Sequence, residues 1–106
     1  MAHTYKNAKL DLTTTSVTTL YTADTATTAI VKSILVSEDA GATPTLTITL
    51  TNGSDVFSLF KTKALTANGT LEFLTSPLIL TTGEILKVTA SAANQLHVVA
   101  SILEIT

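Results

Sequence analysis

The sequence predicts an all-β fold, an antiparallel, jelly-roll-like β-sandwich of about eight short strands with an N-terminal arm. Three observations predict it. Twenty-three of the 106 residues are threonine, and at Thr45-Leu46-Thr47-Ile48-Thr49-Leu50-Thr51 they alternate strictly with aliphatics. Successive side chains of a strand point to opposite faces, so this segment has one aliphatic face and one hydroxyl face, both of residue types that suit a pleated surface. Turn residues punctuate the chain at short intervals, as small antiparallel sandwiches and barrels require. No segment repeats apolar residues at helical spacing over a useful length.

In chain order, residues 1–15 are polar, mildly basic and without sustained periodicity, which predicts an arm that either frays or orders on a neighbouring subunit. Residues 16–106 form the predicted sandwich domain. Val17 to Thr22 is its first strand, followed by a turn at Asp24-Thr25-Ala26. Thr28 to Ser37, with Ala29-Ile30-Val31 and Ile34-Leu35-Val36, is the second and more buried one. The loop Glu38-Asp39-Ala40-Gly41-Ala42-Thr43-Pro44 carries charge, Gly and Pro, which interrupt a ladder.

After the alternating strand, Asn52-Gly53-Ser54-Asp55 closes a hairpin, because Asn and Gly tolerate the positive φ of tight hairpin turns. Val56 to Lys61 returns as its partner. Asn68-Gly69 is a second turn of the same kind, leading into Thr70 to Leu74. Ser76-Pro77 interrupts, so Leu78-Ile79-Leu80 is a short strand at a bend or an edge. Thr82-Gly83-Glu84 turns the chain into Ile85 to Ser91, and Ala93-Asn94-Gln95 leads to the last strand, Leu96 to Ile105.

Composition narrows the function classes. A chain of 106 residues fits one domain with a single core. Its hydrophobic fraction is 45% with only 5% aromatic and no Trp, so Leu, Ile, Val and Ala must fill that core, and the three Phe read as part of it. Charged residues make up 13%, with a net charge of −2, and a weakly charged surface favours association. Without cysteine there is no disulfide, thiolate nucleophile or Cys-based metal site. No apolar run has the length of a signal peptide or a membrane span, which predicts a chain that stays in the cytosolic compartment unless it leaves inside something larger.

Candidate chemical groups are sparse. His3 falls in the arm and His97 alternates with Leu96 and Val98, neither with a metal-ligand partner at useful spacing. Glu38-Asp39 reads as a solvated turn, since adjacent loop carboxylates point apart and a calcium site needs several more oxygens. No nucleophile elbow accompanies the many hydroxyls, and four scattered glycines make no phosphate loop. Nucleic-acid binding wants clustered cations and stacking aromatics; the six cations are all Lys, and Lys61 and Lys63, placed on one strand face, read as protection of an edge strand. Asn52-Gly53-Ser54 and Asn68-Gly69-Thr70 match the glycosylation sequon, but their turn role accounts for both. No catalytic, cofactor-binding or metal-binding residue is assigned, and the expectation is no enzyme, no cofactor, no nucleic acid and no membrane.

Thr27-Thr28-Ala29-Ile30-Val31-Lys32-Ser33-Ile34, Asn68-Gly69-Thr70-Leu71-Glu72-Phe73, Pro77-Leu78-Ile79-Leu80 and Gly83-Glu84-Ile85-Leu86-Lys87-Val88, with Ala90 and Ala92-Ala93, carry a likeness of strands and turns. Through them residues 27–105 resemble small β-sandwich proteins of tailed-bacteriophage virions, which serve as head decoration (cement) proteins or as tail and fibre components. That resemblance implies a non-enzymatic virion part, assembled in the host bacterial cytoplasm, working as a homo-oligomer, often a trimer, on other virion proteins such as the major capsid protein. A tail, neck or fibre component is the alternative within that class. A carbohydrate-binding module on a jelly roll is the alternative outside it, and would need exposed aromatics among Tyr5, Tyr21, Phe57, Phe60 and Phe73. With charges, aromatics and catalytic groups so few, the hydroxyl face of residues 45–51 is the expected contact surface.

Overall fold

The computed structural model describes residues 2–106. Among them are nine strands and no helix: β1 (His3–Leu12), β2 (Thr18–Thr22), β3 (Thr28–Glu38), β4 (Thr45–Asn52), β5 (Asp55–Ala64), β6 (Thr70–Glu72), β7 (Leu78–Leu80), β8 (Ile85–Ala90) and β9 (Leu96–Ile105). They form two antiparallel sheets packed on one core, 63% of the described residues being strand. One sheet runs β1-β9-β3-β6, with β7 also on β3; the other runs β2-β8-β4-β5.

These pairings nest. The innermost hairpin is β4–β5; outside it β3 pairs with β6 and β7, β2 with β8, and β1 with β9. Rolling four nested antiparallel pairs into two facing sheets is the jelly-roll arrangement, here with its sixth strand split in two as β6 and β7. Ser76-Pro77 lies in the split, consistent with a residue that cannot donate to a ladder.

The inner faces obey the period of two. Ala29, Val31, Ile34 and Val36 of β3, Leu46, Ile48 and Leu50 of β4, Leu86 and Val88 of β8, and Leu96, Val98, Ala100 and Ile102 of β9 are all buried in one cluster. Lys32 shifts the β3 register between Val31 and Ser33. That bulge explains why the buried phase moves from Val31 to Ile34.

Four sequence expectations change. Residues 3–12, expected to be an arm, form β1, which pairs with β9 from His3↔Ile105 to Leu12↔Leu96; Met1 lies outside the described residues. The segment is polar because an edge strand with a largely exposed inner side needs few apolar residues, and only Ala8, Leu10 and Leu12 reach the core. Phe57, read as core, is 53% exposed. It sits opposite Leu50 on an edge strand whose counterparts in the facing sheet, β6 and β7, are only three residues each. Glu38, read as a solvated turn residue, is the last residue of β3 and 2% exposed. Asn68-Gly69, expected to close a hairpin, instead leads from one sheet to the other. There Asn68 takes the positive φ of 55°, and Gly69 lets the chain pass close to Thr66, whose carbonyl oxygen a Cβ would crowd at 3.1 Å. The hairpin at Gly53 does follow expectation, with φ of 64° in the two-residue loop between β4 and β5.

Candidate interaction surface

A sandwich shows its surroundings two outer faces, and here they differ in chemistry. On the four-stranded sheet, Thr49 of β4 lies between Lys87 of β8 and Ser58 of β5, while Thr47 faces Thr89. One of these hydroxyls is engaged within the sheet. Thr47 Oγ1 accepts from the Thr62 amide at 3.0 Å, where β5 bulges with Thr62 at φ 50°. Thr45, Thr47 and Thr49 are half-buried, and Thr51 is buried with Oγ1 unpartnered. Lateral neighbours thus cover much of the face expected to be the contact surface.

The outer face of the five-stranded sheet is apolar instead. Register places Tyr5 (β1), Leu103 (β9), Ile30 (β3) and Ile79 (β7) in one row across the sheet. A second row runs Lys9, Val99, Leu35, Glu72, with Asn7, Ser101 and Ser33 between the two. Tyr5 is 75% exposed, Ile79 59%, Leu35 42% and Val99 37%. Four of the seven exposed large hydrophobic residues in the described chain therefore share this face. The sequence carried the signal: β3 and β9 are aliphatic in both phases, and a strand apolar on both sides belongs in a sheet covered on both faces.

Charges on this face are asymmetric. Lys32 reaches from β3 over β9, its Nζ 5.9 Å from the centre of the Tyr5 ring on β1. Both exposed cations, Lys9 and Lys32, thus end on the β1 side. Glu72 occupies the opposite edge, where its carboxylate accepts from Ser33 Oγ, from the Ile34 amide at 2.8 Å and from the Leu74 amide at 3.1 Å. Burial raises its pKa, but these three donors together outweigh that and hold it below the ordinary 4.5, so it is ionised at neutral pH. At one end of the face, His97 lies 3.2 Å from Asp11 and 3.4 Å from Asp39 through its two ring nitrogens.

The remaining candidate residues stay apart. Glu38 accepts four backbone N–H groups, from Ala40, Gly41, Ala42 and Asn68, and so organises two loops. His3 and His97 sit at opposite ends of the β1–β9 pair. Lys61 and Lys63 flank the Thr62 bulge on edge strand β5. Tyr21 donates to Glu104, which also pairs with Lys6 at 3.4 Å; burial first, then that hydrogen bond, push the phenol above its ordinary range. Among the described residues no group of three or more His, Cys, Asp or Glu could hold a metal ion, and no helix is long and apolar enough to cross a membrane. A cleft of about 220 Å³ beside Leu59, Phe60, Leu74 and Pro77 falls below the usual ligand-pocket range of about 300–1,000 Å³.

No protein-family model matches the chain, and no curated protein matches it.

Proposed function

We propose that this chain is a non-enzymatic structural protein of a tailed-bacteriophage virion, a decoration protein that stabilises the head and holds neighbouring subunits through its sheet faces. It works as a homo-oligomer on other virion proteins such as the major capsid protein and is assembled in the host bacterial cytoplasm. The observation that carries the reading is the outer face of the five-stranded sheet, where four exposed large hydrophobic residues gather on one broad surface of the kind that marks protein contacts. The nested jelly-roll pairing supports it by analogy, since viral capsid domains use that arrangement, and the strand-and-turn likeness over residues 27–105 points the same way.

Lectin domains also use jelly rolls, and Tyr5 and Phe57 are exposed aromatics. They lie on different sheets, on β1 and β5, so they cannot flank one sugar ring. The structural reading is therefore preferred to a carbohydrate module.

Mass spectrometry of purified virions tests the proposal. A decoration protein is present in high copy number, comparable to that of the capsid subunit. A few copies per particle point to a tail, neck or fibre position, and complete absence from virions sinks both.

A further inference from the structure

We infer that the outer face of the five-stranded sheet is the interface of a two-fold homodimer, with two copies stacked face to face about an axis parallel to the strands between β9 and β3. The inference deepens the self-association in the reading above and rests on it, but it does not depend on the virion assignment.

Edges are poor candidates for self-association. Edge strand β1 carries Lys6 and Lys9; β5 carries Lys61 and Lys63 around a bulge. β2 is only five residues with a register shift between Thr19 and Tyr21, and β6 and β7 are three residues each. Lysines, bulges and short strands are the means by which sheets avoid edge-to-edge pairing.

Charge selects the partner and the axis. A rotation parallel to the strands exchanges the β1 edge with the β6–β7 edge while keeping each row level. Lys9 and the ammonium of Lys32 then meet the Glu72 side of the other copy, Val99 lies on Leu35, Leu103 on Ile30 and Tyr5 on Ile79. Rotation about an axis across the strands would instead leave both cations on the partner's β1 side and Glu72 over Ile79. A second copy thus sets Glu72 opposite the two lysines on each side of the axis, a self-complementary two-fold contact, while Asp11 keeps its partner His97 within the same copy.

The area suffices. β1, β3 and β9, of 10, 11 and 10 residues, with the three residues each of β6 and β7, span roughly 600 Å² at about 3.3 Å per residue and about 4.8 Å between strands. Two copies bury about 1,200 Å², the lower bound for specific, stable interfaces.

The purified chain should run at twice its 11.1 kDa mass in light scattering at about 100 μM, since interfaces of this class reach micromolar or tighter affinity. Leu35→Lys and Ile79→Lys place charge on exposed outward positions and should weaken dimerisation by about a hundred-fold or more, whereas Thr49→Lys on the other outer face should leave it unchanged. The chain has no cysteine, so thiol cross-linking is clean. Sheets stacked face to face lie about 10 Å apart, beyond the reach of a disulfide, so a short bismaleimide should join Tyr5→Cys to Ile79→Cys when the two are mixed but should not join either variant to itself, whose two thiols would sit at opposite edges. The cysteine pair adds no charge and reads the contact independently of how the lysine variants fold. A monomer at that concentration, a trimer, a dimer indifferent to both lysine variants, or equal cross-linking of either cysteine variant alone would overturn the inference. None of these outcomes bears on presence in virions, so the two readings fail separately.

Discussion

Glu38 shows what a single residue can organise. Buried at the end of β3, it would be costly as an isolated charge, yet four amides from two loops converge on its carboxylate. The Asn68 amide lowers its pKa most, burial raises it, and the amides of Ala42, Ala40 and Gly41 lower it further, leaving it below the ordinary 4.5. A depressed carboxylate stabilises the fold above its unfolded pKa and loses that contribution as pH falls through its folded value. Urea midpoints should therefore drop between about pH 5 and pH 3, and Glu38→Gln should be less stable at pH 7 with a shallower acid slope. Glu72, depressed through Ser33, Ile34 and Leu74, supplies the slope that remains. An unchanged slope in Glu38→Gln would show that the loop amides do not hold its charge. Thr51 is the converse case, a buried hydroxyl without a partner. Thr51→Val keeps the shape and removes that orphan, which should stabilise by about 1 kcal/mol. Calorimetry should show Tm rising by about 4–8 °C.

At the scale of elements, β4 tests the assignment of faces. Ile48 is fully buried, so Ile48→Asp leaves an unpaired carboxylate in the core at a cost of several kcal/mol and should abolish soluble expression. Thr47→Lys forfeits one exposed hydrogen bond to the Thr62 amide, about 1 kcal/mol, and should remain folded by circular dichroism. A folded Ile48→Asp with an insoluble Thr47→Lys would invert the faces. The strands beyond residue 16 were legible because period two and turn chemistry are local: β4 was expected at 45–51 and spans Thr45–Asn52. β1 was not, because an edge strand that buries only its last few inward residues has almost no hydrophobic alternation to read. Phe57 misled for a related reason, since its inward direction is local but the short cover above it is not.

At the scale of the molecule, β9 is the strand on which the five-stranded sheet closes, paired on one side with β1 and on the other with β3. Deleting residues 101–106 removes buried Ile102 and the pairing of both neighbours beyond Ala100. That truncation should unfold the domain, and a soluble product with native strand signal would contradict it. The candidate interface was half legible. β3 and β9 carry aliphatics in both phases, which the sequence displays openly, but β4 has the cleaner alternation and so makes the hydroxyl face the more conspicuous one.

An all-β sandwich, its turns and the phase of most strands follow from the residues alone, because side-chain direction in a strand is a matter of counting. Which strands are neighbours is a property of the folded chain, and so is the apolar row of Tyr5, Leu103, Ile30 and Ile79, drawn from four distant segments. Cross-strand register links residues up to a hundred positions apart, and the period of any one strand does not encode it.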